Sequence, residues 1–141
     1  MKGFANTGVA AYHSVGVHGS VAGADPHGLV LILMNAAMER MAIARGCIER
    51  QEIMRTAKLL HSCVTIIAEL RGSLNLAEGG PLAQNLDGLY DYMIRRLLLA
   101  NTENNAAYIS EVEHLLGEIR SAWVAIGPLV REAQNRALSA A

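Results

Sequence analysis

Four long segments of this chain carry apolar side chains at intervals of three and four residues, and each ends in a polar, Gly or Pro break. That period buries one face of a helix and fits no strand. The first stripe is Leu29, Leu33, Ala36, Ala37, Met41, Ala44 and Ile48. It opens at Asp25-Pro26, where Asp can accept backbone N–H bonds as N-cap and Pro at N1 loses only a donor that had no partner. The spacing predicts a helix over 26–49, and leaves open whether the chain breaks or bends at Gly46. After the polar join Arg50-Gln51-Glu52, a second stripe runs through Ile53, Leu59, Leu60, Cys63, Ile66, Ile67, Leu70 and Leu74. Glu78-Gly79-Gly80-Pro81 predicts a turn, with a third helix starting at Pro81 and carrying Leu82, Leu86, Leu89, Tyr90, Met93, Leu97 and Ala100. Asn101 to Asn105 reads as a polar break. The fourth stripe, Ile109, Val112, Leu115, Leu116, Ile119, Trp123 and Ile126, is stopped by Gly127-Pro128.

Four such helices with short joins predict an all-α fold, an antiparallel four-helix bundle over 25–127. Residues 128–141 read as a short C-terminal helix or tail. Residues 1–24 read as a flexible N-terminal arm, because five glycines recur there with no helical stripe.

Charge and hydropathy narrow the function. Twelve Lys and Arg against thirteen Asp and Glu give a formal charge of −1, which argues against a nucleic-acid partner. Hydrophobic residues reach 52% and charged ones only 18%, yet no continuous apolar run approaches the roughly 18–20 residues of a membrane span, so membrane insertion is not expected. The N-terminus has no continuous apolar segment of a secretory signal. Cys47 and Cys63 lack framework spacing and read as small buried hydrophobes in a reducing, cytoplasmic setting, with a disulfide as the alternative.

Helical bundles often hold metals, and a di-iron centre needs two Glu-x-x-His motifs with further inward glutamates. Glu111-Val112-Glu113-His114 supplies one such motif and no second occurs, so neither metal nor cofactor is expected. A histidine phosphotransfer bundle needs an exposed His with positive charge close by. His61 and His114 are its candidates, and neither is followed by a Lys within the next turn. No nucleophile elbow or phosphate-cradling loop is present, and enzyme activity is not expected.

The apolar content exceeds what one core uses. A bundle helix needs about three apolar positions in seven, but Val30 to Met34 and Leu97 to Leu99 are consecutive. Successive helical residues point about 100° apart, so such runs cannot all face inward. The spare surface calls for a partner protein, with the arm, the C-terminal helix or a second copy of the chain, as a homodimer, as the other covers.

The order of several short blocks resembles the FliS family of flagellin export chaperones. The resemblance runs from Tyr12 to Ile126. It includes Ala24-Asp25-Pro26-His27 with Leu29 to Met34 and Ala36 to Arg40, then Ile66 to Asn75. It continues through Glu78-Gly79-Gly80, Ala83-Gln84-Asn85-Leu86 and Leu89 to Met93, and ends with Arg120-Ser121-Ala122-Trp123. Asp25 stands where the family usually carries Ser, which keeps a capping oxygen. Pro81 stands where the family carries a helix-compatible residue and is expected to delay the third helix by a turn.

The resemblance implies a cytoplasmic chaperone, without cofactor, that binds the C-terminal helical segment of flagellin and prevents premature polymerisation. It also implies delivery to the cytoplasmic domain of the flagellar type III export gate. Residues in the matching blocks are the expected flagellin groove: Leu70, Leu74, Leu86, Leu89, Tyr90 and Met93, with Gln84 and Asn85 bonding the guest backbone. Tyr12, Val15 and Val17 of the arm are the expected lid over that groove. The alternatives are a homo-oligomeric helical adaptor and the histidine phosphotransfer bundle.

Overall fold

The computed structural model describes residues 25–140. Helix α1 spans Pro26–Glu49, and the Asp25 carboxylate accepts from the Gly28 N–H at 2.7 Å. Capping oxygen and N1 proline thus act together where the sequence placed them. The helix continues through Gly46. The chain reverses instead at Gln51, whose φ of 60° lies in the left-handed region. Helix α2 follows as Ile53–Gly72.

Helix α3, Leu76–Glu103, starts earlier than the expected Pro81. Asn75 caps a first turn by accepting from the Glu78 N–H at 3.1 Å, and the expected break falls inside the element at Gly80, with φ 56° and ψ −142°. Pro81 then restarts the helix on its new course, at a position where its missing N–H costs little. The polar stretch after Ala100 also differs from expectation. Asn101 to Glu103 remain helical, and the reversal is confined to Asn104 in the left-handed region (φ 51°, ψ 47°) and Asn105. Asn105 caps α4, Ala106–Ala125, by accepting from the Ala107 N–H at 2.9 Å. Helix α5, Gly127–Ala140, begins directly after the α4 C-cap Ile126.

The first four helices pack in ring order, α1 on α2 and α4, and α3 on α2 and α4. Met34, Met41, Ile67, Leu70, Met93, Leu97, Ile109 and Leu116 fill the interior. Ala37, Ala44 and Ala100, fully buried, let the helices approach closely. By length and composition α1 could cross a membrane, but its stripe through Leu33, Met34, Ala37, Met41 and Ala44 is buried against the other helices. Cys47 and Cys63 are free and buried. Burial pushes the Cys63 thiol up to about 12, so it packs as a hydrophobe rather than reacting.

Polar pairs fix the register between neighbours. Arg71 of α2 reaches Asp87 at 2.7 Å and Asp91 at 3.1 Å on α3. Glu111 of α4 accepts from the Tyr92 hydroxyl and the Arg96 guanidinium of α3, each at 2.6 Å. Arg45 and Glu113, and Asn35 and Arg120, tie α1 to α4.

Candidate functional site

At one end of the bundle the helices splay around an apolar groove of about 540 Å³. Leu29 and Val30 of α1 form one wall, and Leu82, Ala83 and Leu86 of α3 the other. Leu74 and Asn75 close the α2 end, Trp123 lies between the walls, and Val130 and Gln134 of α5 flank it. Two local features shape this space. The Gly80 kink redirects α3 so that Gly79, Leu82 and Leu86 reach the groove together. Any Cβ at Gly79 would lie 2.5 Å from the Ala83 Cβ, so the kink closes as tightly as a glycine permits.

Trp123 and His27 build the far end. Their rings stack with centroids 4.6 Å apart and planes 10° from parallel. The indole N–H donates to the His27 carbonyl oxygen at 3.0 Å, which fixes the indole against the first turn of α1. His27 is itself buried, and neither ring nitrogen has a hydrogen-bond partner among the described residues.

Exposure decides what the groove can do. Leu82 is 69% exposed although it lines the cavity. Leu76 and Leu89 continue the apolar surface along α3 on either side. Leu76, Leu82 and Leu89 thus leave large apolar side chains facing solvent along α3.

Of the residues expected at the site, Leu74 and Leu86 line this groove. Leu89 is exposed farther along the same face of α3. Gln84 and Asn85 are exposed but do not line the cavity. Leu70, Tyr90 and Met93 lie in the core, and burial pushes the Tyr90 hydroxyl up to about 12. Tyr12, Val15 and Val17 fall outside the described residues.

His27, Leu29, Val30, Leu82, Trp123 and Val130 also line the groove and are not among the residues expected there. The signal for the α1 wall was nevertheless present, in the consecutive run from Val30 that no single core could absorb. Elsewhere the chemistry is sparse. Among the described residues no three His, Cys, Asp or Glu side chains gather to hold a metal. His114 faces the Glu118 carboxylate at 3.1 Å, a neighbour that would repel an incoming phosphoryl group.

The structure is thus a helical scaffold with an open, leucine-walled groove at one end. Comparison with known proteins gives the scaffold its family. The profile of the family described as Flagellar protein FliS matches residues 8–130. The chain is 44% identical over 112 residues to the flagellar secretion chaperone FliSB of Pseudomonas aeruginosa, covering 79% of this chain and 89% of that one. It is 39% identical over 131 residues to the flagellar secretion chaperone FliS of Salmonella typhimurium, covering 92% and 97%. The counterpart from Vibrio cholerae is 35% identical over 118 residues, covering 84% and 87%. The chain belongs to the FliS family of flagellar secretion chaperones, whose role is not enzymatic.

Proposed function

We propose that this chain is a cytoplasmic chaperone for flagellin, that it binds flagellin's C-terminal helical segment in the groove, and that it delivers the bound subunit to the cytoplasmic domain of the export gate. The observation that carries the reading is the groove itself, with Leu82 in its wall and largely open to solvent. An isolated amphipathic segment is marginal as a helix in water, because its apolar face has nothing to pack on. Laid between α1 and α3, it would bury that face against Leu29, Val30, Leu82 and Leu86. Each large aliphatic side chain fully buried contributes roughly 1.5–3 kcal/mol, and ordering the guest offsets part of that gain. While the face is covered it cannot pair with another flagellin, which is how binding would hold back polymerisation.

Titration calorimetry of the purified chain with the C-terminal segment of its cognate flagellin tests this reading. Saturable binding at one to one, with a heat-capacity change that is clearly negative, is the expected result. A folded sample that gives no heat with that segment would refute it.

A further inference from the structure

Helix α5 is weakly seated. Leu129 and Leu138 are 64% and 75% exposed, and Gly127 is its one buried residue. Its inner side still matters, because Val130 and Gln134 close a flank of the groove. Beneath its first residue lies His27, only 6% exposed, with both ring nitrogens buried and unpartnered among the described residues. The approach is close, since a Cβ on Gly127 would sit 3.2 Å from His27 Nε2. A neutral imidazole carries one donor and one acceptor. Seated under α5, it satisfies neither, and a buried polar group without a partner weakens the arrangement that buries it. Trp123 offers no relief, because its single donor is committed to the His27 carbonyl oxygen.

We propose that α5 is a displaceable cover on one flank of the groove, held at an incomplete contact with His27, and that it lifts off that contact when the flagellin segment enters. The inference rests on the groove being the guest's site. Lifting α5 removes Val130 and Gln134 from the flank, lengthens the open channel beside Trp123, and lets the imidazole pair with water or with a polar group of the guest. The unpaired nitrogens penalise the closed state alone, so they keep the open state within reach.

The test follows hydrogen exchange of α5 amides and guest affinity in the full chain and three variants. His27→Phe retains an aromatic ring to stack on Trp123 and removes the unpaired nitrogens. Exchange in α5 should slow roughly tenfold, and the guest should bind more weakly by a similar factor. Val130→Ala loosens the seat from the other side. It should speed α5 exchange roughly threefold to tenfold and tighten guest binding. Leu129→Ala, on the outer face, should change neither. In the unaltered chain, added guest should accelerate α5 exchange. Protection of α5 by the guest, with weaker binding to Val130→Ala, would make α5 a fixed wall and overturn the proposal. Should His27→Phe not fold, the opposite signs expected for Val130→Ala still decide. If no variant binds the segment, the flagellin reading fails. The exchange difference between His27→Phe and the unaltered chain then still shows whether α5 opens over His27.

Discussion

Leu82 and Met93 lie on the same helix, about three turns apart, yet truncating them should do opposite things. Met93 is fully buried and Leu82 is 69% exposed. Met93→Ala should cost about 2–5 kcal/mol of stability by leaving a cavity in the core. Leu82→Ala should leave stability within about 0.5 kcal/mol and weaken guest binding, since it removes part of the groove wall. Denaturant unfolding and titration of the two variants side by side separate core from site. Gly80 offers a second residue-scale test. Its φ of 56° and ψ of −142° suit only glycine, so Gly80→Ala should cost about 1–3 kcal/mol and should disturb the groove wall that follows it.

Among the elements, the charged pairs between helices set the response to acid. The Arg71 guanidinium holds the Asp87 carboxyl below its ordinary value of 3.8. Hydrogen bonds from Tyr92 and Arg96 hold Glu111 below its ordinary 4.5. A carboxylate depressed in the folded state contributes its full stabilisation above its ordinary value, and that contribution is lost as pH falls through the folded-state value. Stability should therefore decline on acidification below those values. The combined variant Asp87→Asn, Glu111→Gln should start less stable at neutral pH and lose less on acidification, as read from urea midpoints across that range. Equal losses in both proteins would remove these pairs as the cause.

The helices themselves were legible because their signals are local. Asp25-Pro26 marks the start of α1 within the sequence, and stripes at three and four residues mark each core face. The ends of α3 were less legible. Asn75 caps a turn that the glycine pair after it obscured, and a left-handed Asn104 allows a reversal far tighter than five polar residues suggest. The candidate site was only partly legible for a different reason. Leu70 and Leu86 are chemically alike in sequence, but one points into the core and the other into the groove, and that depends on how α3 kinks and where α4 ends.

At the scale of the whole molecule, four helices close a core while their ends at one pole fail to meet, and α5 only flanks the gap. The groove is thus a product of assembly: His27 and Leu29, Leu74, Leu86, and Trp123 and Val130 come from separate stretches of the sequence and meet only in the bundle. The chain holds a single tryptophan, and it lies in that groove. Trp123 emission followed during titration with flagellin's C-terminal segment is therefore the most direct test of where the guest binds. The account predicts a shift in emission that saturates at one guest per chain, in step with the calorimetric heat. Saturating heat with unchanged Trp123 emission would place the guest elsewhere on the bundle and contradict it.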